Sequence, residues 1–526
     1  MKIKIYIVIF LSLLSSWRLF RPGYFSMQDD IHVFRLQQFD QCVKDRQIPC
    51  RYTDNGGLGY GYPLYNYYSP LPYFVAEIFH LLGFSFINSI KILFIFGHFL
   101  AGLSMFLFAS YYWGNWGGLL SATLFLFAPY RAIDGYVRGA LAEFLAISLL
   151  PLIFYFLGQR KTKASIISIS ALLLTHNLTS LIALPIITIY LLITNKYKIR
   201  SLFFLVIPFS LSAFFLLPAI FEKNLVTLPT MTQGYFDYRA HFTTLKQLFF
   251  DRSWGFGASL WGPIDDMSFQ VGLPLWPLAL LSLFFVYKQK KNKILIGLFS
   301  FTAIFALFLT HNKSTFIWTH LPFMAYFQFP WRFLLIVIFS LSFISGSLIS
   351  SFPKKKSAIF LIILTIVLNI NYFKEDIWFS RLTDQEKLNS AEITRQSGAG
   401  LKDYWPNYGT SFPNQFAPAT PFSEQDIAIN SFSKNSHSAY LDIDVNSPST
   451  TVTFPIVYFP NWQVYENNKL IKHDLTPDLG LIMVNLSQGN HQLSLKLNNT
   501  PVRTIANLIS LFSLIGFSFY ALKTKK

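Results

Sequence analysis

An apolar stretch that ends in an acidic pair decides the fold of this chain. Residues 4–30 read KIYIVIFLSLLSSWRLFRPGYFSMQDD, and the apolar part is about one bilayer thickness long when helical. Asp29 and Asp30 follow closely, and two adjacent carboxylates are costly beside hydrocarbon. The stretch therefore predicts a first membrane helix and, past its outer end, two carboxylates that serve a function.

The composition is that of a protein that crosses the membrane several times. Of the 526 residues, 52% are hydrophobic and only 13% are charged, and the mean hydropathy is +0.40. The formal net charge of +17 comes from basic residues that lie in short runs between apolar stretches. Such runs are typical of cytoplasmic loops under the positive-inside rule, and they argue against nucleic acid as a partner.

Twelve apolar segments are long enough, or nearly long enough, to span a bilayer. Threaded from a cytoplasmic N-terminus, they place the basic runs and the C-terminus in the cytoplasm and the acidic pair outside. We interpret the first segment as an uncleaved helix rather than a cleaved signal peptide, and both alternatives put residue 21 outside. The predicted spans are 4–20, 89–110, 117–130, 143–158, 164–176, 178–194, 201–220, 271–288, 294–310, 332–351, 357–371 and 503–522.

Two further features bear on this topology. The apolar stretch 71–83 is short and follows Pro70, so we interpret it as an interfacial or re-entrant helix on the outer side. All thirteen acidic residues before position 372 fall in, or at the edge of, predicted outer segments, and none lies in mid-helix. This distribution argues against an ion-coupled transporter, which keeps an ionisable residue near the bilayer midplane.

Most of the non-helical chain is predicted on the outer side. The predicted domains are a transmembrane domain over 1–371, with outer loops at 21–88, 131–142 and 221–270, an extracytoplasmic domain over 372–502, and a last helix with a basic tail over 503–526. From about residue 430, alternating apolar and polar residues predict a β-sandwich-like domain. Hairpin turns are expected at Asn467-Asn468-Lys469 and at Gln488-Gly489-Asn490.

Both cysteines, Cys42 and Cys50, lie in the first outer loop. In an oxidising compartment they could pair and tie down the segment after Asp30. The alternative is two free or buried thiols. The Cys-x-x-Cys spacing of a structural zinc site is absent from the sequence.

The first candidate residues lie at the start of this loop. Apolar residues at 31, 34, 36 and 39 predict a surface helix, and Asp29 and Asp30 stand at its N-terminus with His32 and Arg35 close by. One interpretation is that the pair is catalytic. The alternative is that one Asp caps the helix, a role that needs no chemistry.

A glycine- and tyrosine-rich stretch follows in the same loop and reads NGGLGYGYPLYNYYSP over residues 55–70. Dense glycines indicate backbone that approaches another group closely, and tyrosine faces can stack on sugars. Tyr62, Asn66 and Tyr67 are therefore candidate substrate-binding residues. The alternative is that the tyrosines form an interfacial aromatic belt.

The second outer loop combines bases and acids between apolar spans. Its candidate residues are Arg131, Asp134, Arg138 and Glu143. Arginines in this position can hold a phosphate or diphosphate by bidentate hydrogen bonds, and the alternative is snorkelling to lipid head groups. His176 and Arg332, at the outer edges of two other spans, join the set, although a single histidine at a helix end is often structural.

Four stretches then resemble a known family. They are DDIHVFR (29–35), GYGYPLYNYY (59–68), YVRGALAE (136–143) and QFPWRF (328–333). These stretches are similar to prokaryotic membrane proteins labelled 6-pyruvoyl-tetrahydropterin synthase-related and, more widely, to the GT-C superfamily of membrane glycosyltransferases. The resemblance covers the membrane core, and YFPNW (458–462) resembles the outer β-domain of such proteins. We interpret the pterin label as a name only, because the chain lacks the histidine cluster and soluble α/β pattern of such a synthase.

The resemblance implies a mainly α, GT-C-like polytopic fold of about 12 transmembrane helices with a C-terminal extracytoplasmic β-sandwich-like domain. It further implies inverting transfer of a sugar from a polyprenyl-phosphate donor to an extracytoplasmic acceptor, which would be a cell-envelope glycan, a lipid or a protein. The site would face outwards from the plasma membrane, among membrane lipids. The alternative is a non-enzymatic flippase, export factor or scaffold that handles lipid-linked glycans.

In that family pattern an acid of the first loop is the catalytic base, so the role falls on Asp29 or Asp30. The lipid phosphate would be held by Arg131, Arg138 or Arg332. Asp134 or Glu143 would assist, or would join the first-loop acids in binding a divalent cation such as Mg²⁺ or Mn²⁺. The resemblance does not decide whether a metal is used.

Overall fold

The computed structural model describes residues 2–194, 204–262, 264–286, 292–350, 354–398 and 401–523. The chain is mostly helical, at 61%, and carries an antiparallel β-sheet near its C-terminus. It divides into two compact units that alternate along the chain. Unit 1 comprises Met1–Asp30, Ile78–Phe209 and Met231–Thr383, and unit 2 comprises Ile31–Glu77, Ser210–Thr230 and Asp384–Lys526. The linear domain division at residues 371 and 502 stays a prediction.

The helices and strands have the following bounds in chain order. The α-helices are α1 (Lys2–Ser16), α2 (His32–Lys44), α3 (Leu64–Tyr67), α4 (Leu71–Leu81), α5 (Phe86–Leu126), α6 (Pro129–Ala132), α7 (Leu141–Gly158), α8 (Thr162–Thr175), α9 (Asn177–Thr194), α10 (Val206–Leu211), α11 (Ala213–Phe221), α12 (Leu245–Phe249), α13 (Leu275–Val286), α14 (Lys293–Thr310), α15 (Thr315–His320), α16 (Leu334–Ser345), α17 (Lys354–Asn369), α18 (Asp384–Lys387), α19 (Ser390–Gly398), α20 (Leu401–Tyr404) and α21 (Pro501–Lys523). The strands are β1 (Tyr24–Phe25), β2 (Trp378–Phe379), β3 (Ile427–Lys434), β4 (Ser438–Val457), β5 (Trp462–Glu466), β6 (Lys469–Ile471), β7 (Asp474–Leu475) and β8 (Leu481–Leu497).

Eight helical segments in the described part of the chain are long and apolar enough to cross a membrane. The longest, α5, has 41 residues and is kinked at Gly114, where φ is 72° and ψ is 170°. Only glycine adopts such a positive φ readily. The kink therefore falls where the sequence predicts a break between the spans 89–110 and 117–130. The first predicted span lies before the kink in α5, and residues 117–126 of the second lie after it.

The exact number of twelve spans is not confirmed. The predicted spans 164–176 and 271–288 correspond to α8 and α13, which have only 14 and 12 described residues. The predicted span 201–220 is divided between α10 and α11, and its first residues lie outside the described part. The basic runs at 195–200 and 288–291 also lie outside it. The coarser prediction of a mainly helical protein with many apolar segments is confirmed.

Unit 1 is held together by aromatic rings and by close backbone packing. Phe108 stacks on Phe343 with ring centroids 4.3 Å apart, and Phe154 meets Phe299 edge to face at 5.4 Å. A Cβ at Gly117 would lie 2.6 Å from the carbonyl oxygen of Gly346. Glycine at position 117 thus allows α5 to approach the segment after α16 closely, as small residues do between membrane helices.

The start of α2 corrects one interpretation of the acidic pair. The helix begins at His32, and Ile31 occupies the N-cap position without a side-chain capping bond. Asp29 and Asp30 precede the cap and lie in a turn. The interpretation that one of them caps the helix is therefore wrong, because the chain enters the helix one residue later than that interpretation needs. Within unit 2 the structure also joins Cys42 to Cys50 in a disulfide.

A buried carboxylate joins the three stretches of unit 2. Glu222 accepts hydrogen bonds from Asn66 Nδ2 at 3.0 Å, from Thr500 Oγ1 at 2.5 Å and from Arg503 Nε at 2.9 Å. Arg51 Nη1 donates in turn to Asn66 Oδ1 at 3.2 Å. Glu222 and Arg503 are both buried, so water screens their attraction little.

The C-terminal strands form one antiparallel sheet in the order β3-β4-β8-β5-β6, with β7 paired to β8. Leu441, Ile443 and Val445 alternate along β4 and are buried on one face of the sheet. The hairpin predicted at Asn467-Asn468 is confirmed, because it joins β5 to β6 and both residues have positive φ, as a type I′ turn requires. An antiparallel β-sheet near the C-terminus is therefore confirmed, while a separate β-sandwich-like domain stays a prediction.

The turn predicted at Gln488-Gly489-Asn490 is wrong, because these residues lie inside the continuous strand β8. At this point the pairing with β4 passes from Val445–Gly489 to Ser449–Ser487. Residues 446–448 of β4 thus bulge opposite Gln488 of β8. Gly489, with φ of 138°, permits a backbone conformation there that other residues rarely adopt.

We expect Glu222→Gln to destabilise the protein by about 3–5 kcal/mol, because it leaves the Arg503 guanidinium buried without its carboxylate. The measurement is thermal unfolding of the full-length protein in detergent micelles, followed by tryptophan fluorescence. Asp474→Asn is the matched control, since Asp474 pairs with the exposed Lys472, where an ion pair contributes about 0–1 kcal/mol. Equal losses of melting temperature in the two variants would contradict a stabilising role for Glu222.

Candidate functional site

The second outer loop folds into a tight turn that brings its charged residues together. Pro129 opens the short helix α6, which continues as a π-helical turn over Ile133–Arg138. Gly139 then ends the turn in the left-handed region, with φ of 67°, and α7 follows. Asp134 and Arg138 thereby lie one turn apart, and Glu143 stands in the first turn of α7. Wider turns of this kind are frequent at functional sites.

A buried ionic cluster results, consisting of Asp134, Arg138, Glu143 and Arg332. Arg138 Nη1 contacts the carboxylates of both Asp134 and Glu143, and it lies 3.2 Å from Glu143 Oε2. Arg332 Nε lies 3.3 Å from the same oxygen. The side chains of Asp134, Glu143 and Arg138 are only 1%, 2% and 6% exposed. Two guanidinium groups and two carboxyl groups therefore contact one another away from water.

The two acids of the cluster differ in their surroundings. Burial, together with the nearby Glu143, raises the pKa of the Asp134 carboxyl well above its ordinary value. Glu143 instead faces both arginines and accepts a hydrogen bond from Tyr130 Oη to Oε1 at 2.8 Å. Burial thus favours the protonated form of Asp134, whereas Arg138 and Arg332 compensate the negative charge of Glu143.

The first-loop acids lie beside this cluster in unit 1. The backbone N–H of Asp29 donates to the carbonyl of Arg138 at 2.8 Å, and that of Gln28 donates to the carbonyl of Val137 at 3.0 Å. The Asp29 side chain is exposed and interacts electrostatically with Arg138 and Arg332. Asp30 is half-buried. One exposed carboxylate is therefore held at the edge of a buried basic pair.

His176 and Arg131 take different positions around the cluster. His176 is close enough to Glu143 for an electrostatic interaction, and its Nδ1 is 2.7 Å from Thr179 Oγ1. Arg131 is fully buried and donates to Ser148 Oγ at 3.1 Å and to the carbonyl of Gly97 at 3.3 Å. These contacts tie α6 to α5 and α7, which makes Arg131 a structural residue rather than an exposed phosphate ligand.

Three residues that contact the cluster were not predicted from the sequence as site residues. Tyr130 binds Glu143, Trp331 places its ring 4.7 Å from the Arg138 guanidinium, and Gln328 Oε1 accepts from Arg332 Nη1 at 3.0 Å. Gln328 also has a positive φ of 62°, a conformation that non-glycine residues rarely adopt. Gln328 and Trp331 lie in the quoted QFPWRF stretch and Tyr130 directly precedes Arg131, but aromatic and amide residues at a membrane edge have more common explanations.

The other predicted residues, His32, Arg35, Tyr62, Asn66 and Tyr67, belong to unit 2. The Arg35 guanidinium lies 4.0 Å from the ring centroid of Tyr68. Burial raises the pKa of the nearby Asp403 carboxyl to about 6, although Arg35 acts against this shift. His32 Nδ1 lies 3.0 Å from Tyr73 Oη. Unit 2 therefore contains a buried arginine that packs against tyrosine rings.

The glycine- and tyrosine-rich stretch has a structural explanation in unit 2. A Cβ at Gly61 would lie 2.3 Å from Tyr52 Oη, so the close approach that the glycines indicate is to the protein's own ring. Asn66 binds the Glu222 carboxylate, and Tyr67 Oη donates to the Glu222 carbonyl at 2.8 Å. Tyr67 also stacks on Tyr404 at 5.6 Å. Asn66 and Tyr67 thus support the folded unit directly.

The acids do not fit the divalent cation that the GT-C resemblance leaves open. Among the described residues, no group of three or more His, Cys, Asp or Glu side chains is placed to hold a metal ion. Asp134 and Glu143 already face guanidinium groups, which compete with a cation for the same oxygens. These acids are therefore engaged with arginines rather than arranged around a metal ion.

Comparison with known proteins shows a family match that covers the part of the chain containing the cluster. A family model described as "6-pyruvoyl-tetrahydropterin synthase related domain; membrane protein" matches residues 65–377. The chain is also 28% identical over 238 residues to an uncharacterized protein of Lactococcus lactis subsp. cremoris (strain MG1363). That match spans 41% of this chain and 39% of the relative. No solved structure matches the chain. The matched residues 65–377 include the whole ionic cluster but not Asp29 or Asp30.

The different surroundings of the two acids lead to a prediction about stability. We expect Glu143→Gln to cost about 3–5 kcal/mol, because two buried guanidinium groups then share one carboxyl that favours its proton. Asp134→Asn should cost less than Glu143→Gln, since burial favours the protonated form of Asp134, which the amide resembles. Thermal unfolding at pH 7 measures both. A larger loss for Asp134→Asn would contradict this assignment.

The raised pKa of Asp134 also predicts a pH dependence. The folded state holds this proton to a higher pH than the unfolded chain, whose Asp pKa is about 3.9, so wild-type stability falls as pH rises above that value. The melting temperature of Asp134→Asn relative to wild type should therefore be higher at pH 8 than at pH 5. A difference that does not change with pH would contradict the raised pKa.

Proposed function

The chain belongs to the 6-pyruvoyl-tetrahydropterin synthase related family of membrane proteins, and we propose that it is a GT-C-type glycosyltransferase of the cell membrane. It would move a sugar from a polyprenyl-phosphate carrier to an acceptor on the extracytoplasmic side. The observation that carries the proposal is one exposed carboxylate, Asp29, beside the buried arginines Arg138 and Arg332. A transferase of this class needs these two elements, a base and an anion-binding pair.

The charge balance of the cluster supports a phosphate ligand. Burial favours the protonated form of Asp134, so its carboxyl compensates the positive charges of Arg138 and Arg332 less than that of Glu143 does. Guanidinium groups bind phosphate oxygens in a bidentate manner, and a buried environment strengthens that interaction. The phosphate of a lipid carrier would therefore find a compensating charge here. Tyr130 and Trp331 limit the movement of Glu143 and Arg138 and keep the arrangement in place.

The position of Asp29 supports its role as the base. Its backbone is hydrogen-bonded to Arg138, while its side chain is exposed and can reach an acceptor hydroxyl. In the proposed step the carboxylate takes the hydroxyl proton as that oxygen bonds to the anomeric carbon. The bond from this carbon to the phosphate oxygen breaks, and its electron pair leaves with the polyprenyl phosphate. Arg138 and Arg332 stabilise the charge that develops on the leaving phosphate.

Asp30 is the alternative base, since it follows directly in the same turn. Glu143 would position both arginines rather than exchange a proton, because its carboxylate is fully engaged. The pterin synthase named in the family description is not part of the proposal. Its zinc chemistry needs a cluster of histidines, and the described residues contain no such cluster.

A second candidate function follows from the basic pair alone. Arg138 and Arg332 would hold a lipid phosphate equally well in a protein that moves or presents lipid-linked glycans without transferring the sugar. Such a flippase, export factor or scaffold requires the arginines but not a base. The two candidates therefore differ in whether the first-loop carboxylates are needed.

We expect Asp29→Asn combined with Asp30→Asn to lower sugar transfer by about 100-fold or more, the loss usual for removal of a general base. The assay uses proteoliposomes of the full-length protein, a set of polyprenyl-phosphate monosaccharides labelled in the sugar, and an envelope extract as acceptor. The single variants assign the base. Asp376→Asn is the matched control, because Asp376 is an exposed carboxylate of unit 1 outside the cluster.

Full transfer by a folded double variant would contradict the role of the acidic pair. Binding of polyprenyl phosphate by the wild type without transfer of any sugar in the set would favour the second candidate. In that case Arg138→Gln should abolish binding while the double Asp variant retains it.

A further inference from the structure

A second group of charged residues in unit 1 shares no member with the ionic cluster. Glu375 Oε1 accepts hydrogen bonds from Arg18 Nη1 at 2.8 Å and from Arg21 Nη2 at 2.5 Å. Lys91 Nζ donates to the carbonyl of Arg21 at 2.8 Å. In the predicted topology, Arg18 lies at the end of the first span, Lys91 lies at the start of the second, and Glu375 follows the span 357–371. Three cations therefore surround one carboxylate at the predicted outer membrane surface.

The charges of this group do not balance. Lys91 is only 4% exposed, and the charged group that faces it is Arg21, which has the same sign. Within the described residues, no carboxylate lies within ion-pair distance of the Lys91 ammonium, and Glu375 is already shared by two guanidinium groups. The neighbouring Lys374 and Asp376 are both exposed and have opposite signs, so they leave the imbalance unchanged. A buried cation without an anionic partner is costly, and an anion bound here would lower that cost.

The group is held in place by backbone pairing and by ring packing. Strands β1 and β2 pair Phe25 with Trp378, and the two rings stack with their centroids 6.2 Å apart. Trp378 Nε1 donates to the carbonyl of Pro22 at 2.8 Å, and the Arg21 guanidinium lies 3.9 Å from the Trp378 ring centroid. Arg21 is thus fixed by Glu375 and by the indole together. A site that is formed in advance loses little conformational freedom when a ligand binds.

Both arginines keep N–H groups that can bind an anion. The side chains of Arg18 and Arg21 are 27% and 35% exposed, so each reaches the surface. Arg18 uses Nη1 for its bond to Glu375, while Arg21 uses Nη2 for the same carboxylate and Nε for the carbonyl of Arg18. A guanidinium group has more N–H donors than these bonds occupy. The remaining donors suit phosphate oxygens, which guanidinium groups bind in a bidentate manner.

Exposed apolar side chains next to the group indicate that it lies at the level of lipid head groups. Trp17 and Phe20 flank Arg18 in the chain, and both are exposed. In the segment of β2, Ile377 and Phe379 are exposed as well. Aromatic and apolar side chains beside arginines are typical of the zone where head groups meet hydrocarbon. The anion that is abundant at this level is the phosphate of a lipid.

We propose that Arg18, Arg21 and Lys91 form a binding site for the head group of an anionic phospholipid in the outer leaflet. The two guanidinium groups hold the phosphate, and the buried ammonium of Lys91 attracts it through surroundings of low dielectric constant. A zwitterionic lipid fits less well, because its own cation meets the excess of positive charge that Glu375 leaves. The site goes beyond the proposed sugar transfer and does not depend on it.

The test is a lipid titration of the full-length protein in detergent micelles, followed by native mass spectrometry. The probes are dioleoyl phosphatidylglycerol and dioleoyl phosphatidylcholine, which share their acyl chains and their phosphate but differ in net charge. We expect the wild type to bind phosphatidylglycerol at least about tenfold more tightly than phosphatidylcholine, as charge-assisted contacts allow.

Lys91→Met keeps most of the side-chain volume and removes the buried charge. It should weaken the binding of phosphatidylglycerol at least about tenfold. Lys313→Met is the matched control, because Lys313 is an exposed lysine in another predicted outer loop of unit 1. Its affinity should change by about twofold or less, since exposed charges contribute little. Arg18→Gln is a second variant in which Arg21 still pairs with Glu375, so this ion pair is kept while the affinity should again fall about tenfold.

Any of three results would contradict the lipid site. They are equal affinity of the wild type for the two lipids, equal affinity of the Lys91→Met and Lys313→Met proteins for phosphatidylglycerol, and displacement of the bound lipid by an equimolar amount of inorganic phosphate. The last result would assign the group to a free anion. The titration needs no sugar transfer, so its outcome is separate from that of the transferase assay.

Discussion

The central constraint in unit 1 is that two carboxyl groups are buried beside apolar helices, where an ionised carboxylate needs a positive partner. Arg138 meets this requirement for Asp134 and Glu143 together, and Arg332 adds a second contact to Glu143. The π-helical turn, which ends at the left-handed Gly139, brings the charged side chains close enough for these contacts. The turn also positions the carbonyl of Arg138 to accept a hydrogen bond from the backbone N–H of Asp29. The proposed role of Asp29 thus depends on the same turn and ion pairs that stabilise this part of unit 1.

Much of this arrangement could be predicted from local patterns. Hydrophobic length predicts the long helices, and Asn467-Asn468 predicts its hairpin because the residue types match the required backbone angles. The charged residues of the second loop were expected together because sequence neighbours remain close in space. Gly489 was misread because a glycine between apolar strands usually marks a turn, and the opposing bulge in β4 that explains it lies some forty residues away. The burial of Arg131 against Gly97 and Ser148 likewise depends on how helices pack, which no local pattern records.

The residues predicted as site residues, in each of the two units, are of two kinds that the sequence does not distinguish. Arg131 and Arg138 stand seven positions apart in one loop, yet one ties helices together and the other bridges acids. Asn66 and Tyr67 appear beside glycines in a stretch that resembles a ligand-binding loop, yet they support a buried carboxylate of their own unit. The role of each residue is set by the group that it contacts: that group is distant in sequence for Arg131, Asn66 and Tyr67, whereas Arg138 contacts acids four and five residues away. A sequence motif therefore indicates where charged and polar residues cluster, while the contacts in the folded protein decide which of them can bind a ligand.

The Glu222 network has a consequence for the biosynthesis of this protein. Arg503 follows Glu222 by 281 residues. At a translation rate of 5–20 residues per second, Glu222 is synthesised roughly 15–55 s before its partner. Throughout that interval the carboxylate must stay hydrated or be shielded by the insertion machinery. A ribosome that stops before α21 thus releases a chain whose second unit lacks its ionic closure, and such a product is a ready substrate for membrane proteases.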